Sequence, residues 1–237
     1  MKEVVVYYCT DLTSNFNDLL FHPFGKKALS VMEVDKESGV LSCPAFRDSF
    51  KNTFCFQSPK DMVIRRDNNN LSWDFPEGVT TKDHFLLPSA IHQRTDKTFT
   101  IRHMNILFWC DEELEIEQVH PSFVYSDLAA KAELIQGKFD INKWFRPLDT
   151  AYQMRDSFDN ITIKRGESLF FVKFKTERDV VFKNFSYSKD VEKLVDMCMG
   201  AKNVSPNFFK KIQNYYDLFV GKNMSKRVSK AVKEAVV

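Results

Sequence analysis

Glycine is scarce in this sequence, with 7 residues among 237. Loops that cradle phosphate groups need glycine, because the backbone must come close to the ligand. The motifs G-x-G-x-x-G, G-x-x-x-x-G-K-[ST] and G-x-S-x-G are all absent. Their absence excludes P-loop nucleotide chemistry and the dinucleotide-binding fingerprint.

The cysteines form no recognisable framework, because they are odd in number, widely spaced and without a C-x-x-C pair. The five are Cys9, Cys43, Cys55, Cys110 and Cys198. Most lie among apolar residues, which predicts buried free thiols in a reducing compartment. Cys43, Cys55 and Cys110 are candidate nucleophiles by residue type alone, and the acidic run after Cys110 disfavours its thiolate. Structural burial is the favoured interpretation of all three.

Long apolar runs are absent as well. The N-terminal sequence MKEVVVYYC has neither the apolar core nor the small-residue cleavage site of a signal peptide. No segment approaches the length that a membrane-spanning helix requires. We therefore expect a soluble, cytoplasmic protein with no membrane partner.

The charge is balanced overall but unevenly distributed. The net charge of +2 gives no global field that would select a polyanionic partner. Residues 202–237 carry +6, however, and the remainder carries −4. Nucleic-acid binding by this basic C-terminal segment is a minority hypothesis, because basic helix faces are usually only solvated and aromatic residues for base stacking are few.

Phenylalanine is abundant, with 23 residues, and the apolar fraction of 43% supports a sizeable core. About ten short apolar segments separated by turn signals predict strands, and the last fifty residues predict helices. We predict an α+β, mainly β fold: an antiparallel, jelly-roll-like β-sandwich over residues 1–187. A C-terminal helical segment, residues 188–237, packs on it or extends from it.

Several segments carry specific local predictions. Pro44 suits the first position of a short helix, and Ser188 can cap another helix. The run DNNN predicts the loop of a β-hairpin, and Gly166 can supply the positive φ of a second hairpin. Further predictions are strands at Val4–Cys9 and Val31–Val34, an irregular connection or short helix over Thr10–Lys27, a loop over Gly78–Lys97, and helices at Leu128–Ile135, Ser205–Phe219 and Ser225–Val236.

The segment from Asp140 to Arg146 is the best candidate for a ligand site. Alternation along a strand would place Asp140, Asn142 and Trp144 on one face. Trp144 and Arg146 could then stack on a planar ligand and pair with its anionic group. An equally weighted interpretation makes Trp144 and Phe145 core anchors, with Arg146 as the buried partner of a nearby aspartate.

A jelly-roll can also host non-haem iron, which needs two histidines and one carboxylate on one face. The usual local form, His-x-Asp/Glu, is absent. His92, His103 and His120 could still converge in space with Glu115 or Glu117. Separate surface or core histidines are the favoured interpretation, so no cofactor is expected except iron under this alternative.

Several runs in order resemble a known group of proteins. The runs are CPAFRDSFKN, LSWDF, NILFWCDEELEIEQVHPSF, GKFDINKWFRP and IKRGESLFFVKF. They resemble uncharacterised proteins of T4-like tailed phages of marine bacteria, cyanophages especially, over roughly Cys43 to Phe185 and the C-terminal helix. The resemblance implies a phage-encoded protein acting in the cytoplasm of the infected cell, and it supplies no catalytic residues.

These observations together predict a phage accessory protein that binds a small molecule or a host protein without chemistry of its own. One alternative is a non-haem Fe(II) oxygenase-like enzyme. The other is a virion or assembly component, in which the basic helix and the acidic strand around Glu115 and Glu117 would be contact surfaces.

Overall fold

The computed structural model describes residues 3–9, 24–58, 61–68, 70–74, 91–101, 106–143, 145–203 and 223–237. Within these ranges the protein is mainly β, with fifteen short strands in four sheets and four α-helices. The strands are β1 Val4–Cys9, β2 Phe24–Lys27, β3 Thr53–Gln57, β4 Met62–Asp67, β5 Asn70–Asp74, β6 Ile91–Gln93, β7 Thr98–Ile101, β8 Leu107–Trp109, β9 Glu115–Val119, β10 Ala132–Ile135, β11 Lys138–Asp140, β12 Thr150–Met154, β13 Asn160–Ile163, β14 Ser168–Phe174 and β15 Val180–Asn184. The helices are α1 Pro44–Ser49, α2 Asp127–Lys131, α3 Lys189–Asn203 and α4 Met224–Glu234.

The largest sheet has five antiparallel strands in the order β11-β9-β14-β3-β2. A four-stranded sheet has the order β10-β12-β7-β6, and a three-stranded sheet has the order β13-β4-β5. The N-terminal sheet, β15-β1-β8, contains the one parallel pairing among the described strands, between β1 and β15. The sheets are thus mainly antiparallel, as predicted, while the jelly-roll arrangement stays a prediction.

An aromatic cluster joins the five-stranded sheet to the N-terminal sheet. Its six rings belong to Tyr8, Phe24, Phe54, Phe108, Phe174 and Phe182. The rings meet edge to face or tilted, with centroids 4.7 Å apart for Phe54 and Phe182 and 5.1 Å apart for Phe24 and Phe108. Such geometry is favourable beyond the area that it buries. The abundance of phenylalanine in the sequence is therefore explained in part by packing between sheets.

A second apolar cluster attaches the C-terminal helices to the outer side of the N-terminal sheet. Val191, Leu194 and Val195 of α3 and Val228 and Val232 of α4 pack with residues of β1 and β8. Backbone bonds fix the end of the chain, because Phe185 and Val236 form a β-bridge. The predicted division near residue 187 stays a prediction; residues on both sides of it share this cluster.

Polar side-chain contacts also attach α4 to the N-terminal sheet. The carboxylate of Asp111, after β8, accepts hydrogen bonds from Ser229 (2.6 Å) and Trp109 (3.2 Å) and forms an ion pair with Lys233 (2.7 Å). Partial burial acts to raise the pKa of the Asp111 carboxyl, but these three donors outweigh it and hold that pKa below its ordinary value. The charged carboxylate thus ties α4 to the sheet.

Local capping and turn signals are confirmed. Pro44 occupies the start of α1, and the Val191 amide donates to the Ser188 hydroxyl (3.3 Å) at the start of α3. The DNNN run closes a hairpin between β4 and β5, with Asn68 at φ +53°. Val4–Cys9 is a strand, and α4 matches the predicted last helix.

Several predictions of local structure are wrong. Val31–Val34 is irregular, and its two valines cover an apolar cluster around Cys55 and Phe171. The helix predicted over Leu128–Ile135 ends at Lys131, because pairing of β10 with β12 overrides the helical propensity of the last four residues. Ile91–Gln93, predicted as loop, is strand β6 because it pairs with β7.

The connection before β3 also differs from its prediction. Phe24–Lys27, expected to be irregular or helical, forms the edge strand β2. Phe24 turns inward to the aromatic cluster, which favours the extended backbone. Residues 10–23, and the predicted helix Ser205–Phe219, lie outside the described part of the chain.

The strand–turn–strand around Gly166 is present, but it is not a hairpin. β13 pairs with β4, whereas β14 pairs with β3 and β9 in another sheet. Gly166 does have the predicted positive φ, at +86°. The turn is fastened to Ser58, which accepts from the Gly166 amide and donates to the Glu167 carbonyl, both at 2.8 Å. The chain therefore crosses here from one sheet to the next.

Four of the five cysteines are buried free thiols, as predicted, and Cys43 is exposed. Burial raises the pKa of Cys55 to about 11, against the opposing hydrogen bond with Ser168.

We predict that dithiobis(nitrobenzoate) labels one thiol per native chain rapidly and five after denaturation. A Cys43→Ser variant that still shows a fast-reacting thiol would contradict this assignment.

Across the described residues, no helix is long and apolar enough to cross a membrane.

Candidate functional site

An open groove of about 780 Å³ lies between the segment that follows β9 and the turn that joins β13 to β14. Residues 120–127 and the alanines of α2 form one wall. Thr162, Lys164 and Glu167 form the other. The volume lies within the range of known ligand sites, and segments far apart in the sequence build it.

Two large aromatic side chains stand exposed at the groove. Tyr125 retains 77% of its accessible surface and Phe123 retains 48%. If the terminal Val237 is set aside, Tyr125 is the most exposed large aromatic or aliphatic residue among the described residues. Met197 is the second and Phe123 the third. Exposed aromatic rings beside a concave surface are typical of binding sites.

The backbone of Phe123 is held in an unfavourable conformation. Its φ is +57°, a region that bulky residues rarely adopt. The carbonyl of Phe123 accepts from the Glu33 amide (2.8 Å), and its ring meets that of Phe46 with centroids 5.6 Å apart. These contacts, from the segment before α1 and from α1 itself, hold the strained residue at the edge of the groove.

The floor of the groove is fixed by α2. Ser126 caps the helix by accepting from the Ala129 amide (3.2 Å). The Asp127 carboxylate accepts from the Lys131 ammonium (2.8 Å) and from the Thr162 amide (2.9 Å) on the edge of β13. Partial burial acts to raise the pKa of the Asp127 carboxyl, but these bonds outweigh it and hold that pKa below its ordinary value.

The remaining polar groups give the groove both signs of charge. Lys164 lies 3.7 Å from the Asp61 carboxylate, and most of its side chain is exposed. The Glu167 carboxylate accepts from the Lys164 amide (3.0 Å). His120 contacts the Ala132 carbonyl through Nε2 at 3.4 Å. Acidic and basic groups are thus balanced, so the exposed rings are the dominant feature.

The patch predicted from the sequence has a different geometry. Asp140 ends β11, and Ile141 to Lys143 form a turn, so the prediction that Asn142 continues a strand face is wrong. The turn forms because Asp140 accepts from the Asn142 amide (3.2 Å) and pairs with Lys143 (3.0 Å). Trp144 lies outside the described residues.

The end of that patch is buried. Phe145 is fully buried against Trp109, with ring centroids 5.7 Å apart, and Arg146 is only 7% exposed. These positions suit the core-anchor interpretation of the segment. A ligand role for Asp140, Asn142, Trp144 and Arg146 stays a prediction.

The described residues considered for iron lie on or beside two strands that belong to different sheets. His92 is on β6, His120 follows β9, and Glu117 on β9 forms an ion pair with Lys175. Within the described ranges, no group of three or more His, Cys, Asp or Glu side chains could hold a metal ion. His103 lies outside those ranges, and iron binding stays a prediction.

On the acidic face of β9, lysines surround Glu117, whereas Glu115 lies in register with Asp140. Glu117 lies in register with Lys138 on β11 and with Lys173 on β14. The bond from Lys175 is the main cause that lowers the pKa of the Glu117 carboxyl, with help from the other lysines. The surface around Glu117 is therefore of mixed charge, and it is not the uniformly acidic face that the strand pattern alone suggests.

Comparisons with known protein families, with curated proteins and with solved structures found no match. Function is therefore inferred from the groove's own chemistry. The sequence signal for the groove was the run HPSFVYSDL, which places two aromatic residues between a strand and a serine-capped helix. The sequence shows that aromatic residues lie in this loop, but it does not show that their side chains are exposed.

Proposed function

We propose that this protein is a non-catalytic, phage-encoded accessory protein that binds a peptide segment of another protein in the groove at residues 120–130. The observation that carries the proposal is the exposure of Tyr125 and Phe123 at the groove. Tyrosine is enriched among the residues that dominate binding energy at protein interfaces. We place this binding in the infected host cell.

The openness of the groove favours a peptide over a small molecule. Small-molecule sites usually bury most of the ligand surface in an enclosed cavity. Here Tyr125 and Phe123 remain exposed, so a small ligand would leave much of both rings in water. An extended segment lying across the groove would cover both rings.

The strain at Phe123 supports a binding role. A non-glycine residue with positive φ costs of order 1–3 kcal/mol, and such residues cluster at functional sites. The Glu33 amide and the Phe46 ring maintain this conformation. The groove is therefore set before the partner arrives, which lowers the entropy lost on binding.

Two polar groups of the groove, Ser126 and Asp127, are engaged in local structure. A general base needs an available lone pair within reach of the substrate. The Asp127 carboxylate is taken by Lys131 and Thr162, and the Ser126 hydroxyl is taken by the Ala129 amide. These two side chains thus have structural roles, which agrees with a groove that binds a partner.

Selection from a random peptide library on the immobilised protein tests this proposal. We expect peptides rich in apolar residues that compete with one another for one site. Tyr125→Ala should weaken their binding by about 30-fold or more, as expected for a central aromatic anchor. Fluorescence titration of the selected peptides measures the effect.

Met197→Ala is the matched control, because Met197 is an exposed apolar residue on α3, outside the groove. It should leave the affinity unchanged. Failure to select any peptide, or equal binding by the Tyr125→Ala variant, would contradict the proposal.

A further inference from the structure

A second cavity, of about 330 Å³, lies between α1, the end of β2 and the start of β3. It does not share any lining residue with the groove. Three cationic side chains, Lys27, Arg47 and Lys51, and two carboxylates, Asp48 and Asp179, line it. The volume is near the lower end of the range for small-molecule sites.

Apart from Lys51, these charged residues are exposed, and their charges are not paired within the described part of the chain. Among the described residues, none of the four side chains makes an ion pair or a hydrogen bond. Lys51 in the same wall differs, since its ammonium bonds to the carbonyl (2.6 Å) and the carboxylate (3.2 Å) of Glu177. Arg178, next to Asp179 in the sequence, is likewise paired, with Glu112 at 2.8 Å.

The cavity is held open by well-defined contacts. The side-chain amide of Asn52 donates hydrogen bonds to the backbone carbonyls of Thr176 and Arg178, both at 2.8 Å. The backbone φ of Asn52 is +53°. These bonds and those of Lys51 tie the segment that carries Asp179 to the end of α1. Asp179 and the α1 residues Arg47 and Asp48 are therefore kept at one cavity.

The rest of the lining combines the polar residues Asn52 and Thr53 with apolar residues that include Leu29, Phe50 and Phe54. We infer that this cavity binds a small zwitterion with an apolar group, of the chemical class of free α-amino acids. Arg47 and Lys27 bind its carboxylate, since the guanidinium presents paired donors to a carboxylate. Asp48 and Asp179 bind its ammonium, and the apolar side group lies against the leucine and phenylalanine side chains.

Calorimetric titration with leucine, phenylalanine and their blocked forms tests the inference. The free amino acids should bind at millimolar concentrations or below. Leucine amide, which lacks the carboxylate, and N-acetylleucine, which lacks the ammonium, should each bind about tenfold more weakly or not at all. Full-affinity binding of either blocked form would overturn the assignment, as would no binding of any free amino acid.

Substitutions then assign the two charge partners. Arg47→Gln should weaken the free amino acid by about tenfold and should also weaken N-acetylleucine, which keeps the carboxylate, while leaving the affinity of leucine amide unchanged. Asp179→Asn is a second variant with the same expected loss. Arg65→Gln is the control, because Arg65 is an exposed arginine outside the cavity. Unchanged melting of each variant shows that the fold is intact, and unchanged binding by both Arg47→Gln and Asp179→Asn would overturn the inference.

Discussion

Replacing Phe174 by alanine will lower the free energy of unfolding by about 3–5 kcal/mol. The Phe174 ring is buried on β14 and meets the rings of Phe54, Phe108 and Phe182 at centroid distances of 5.5–5.9 Å. Two of these three residues belong to the N-terminal sheet, on β8 and β15. Truncation therefore opens a cavity at the contact between two sheets, where neighbouring backbones cannot easily collapse.

Urea unfolding measures this loss, and Tyr125→Ala supplies the control. Because Tyr125 is largely exposed, its truncation should change the unfolding free energy by no more than about 0.5 kcal/mol. A loss of less than about 1 kcal/mol for Phe174→Ala would show that the aromatic cluster does not join the two sheets as described.

Replacing Val228 by aspartate should be nearly as damaging, with an expected cost of about 3 kcal/mol or more. Val228 is fully buried on α4, in the cluster shared with β1, β8 and α3. A carboxylate there would lose its water without gaining a cation. Since strands and helices share the cluster, we expect one cooperative transition that moves to lower denaturant concentration.

Lys226→Asp is the matched control, because it places the same residue on the exposed face of the same helix. Circular dichroism in the helical and aromatic regions follows both parts of the chain. Separate loss of the helical signal, with the sheets unaffected, would instead support an independent domain beginning near residue 188.

Local signals in the sequence predicted local structure well. Pro44 and Ser188 mark real helix starts, and Gly166 does adopt the positive φ expected of it. These features depend on interactions within a few residues, so a single sequence displays them.

Pairing between strands that are distant along the chain could not be predicted from the sequence. The turn at Gly166 looks the same whether its flanking strands pair with each other or belong to different sheets, as β13 and β14 do. The parallel pairing of β1 with β15 joins the two ends of the main β region and leaves no local trace. Long-range packing also decided that Ala132–Ile135 is a strand despite its helical propensity.

The candidate site shows the same limit. The residue types of Asp140–Arg146 favoured a ligand site in that segment, and in the structure Phe145 and Arg146 are buried. The groove combines residues 120–130 with residues 162–167, and the Glu33 amide and the Phe46 ring support it from outside. Exposure of Tyr125 is a property of the folded surface, because an aromatic residue in a loop is equally compatible with a core position.

The measurement that tests peptide binding most directly is calorimetric titration of one selected peptide into the wild-type protein, the Tyr125→Ala variant and the Met197→Ala variant. We predict affinity about 30-fold or more weaker for Tyr125→Ala and unchanged for Met197→Ala. Equal affinity for all three proteins would place the bound peptide elsewhere and contradict the assignment of the groove.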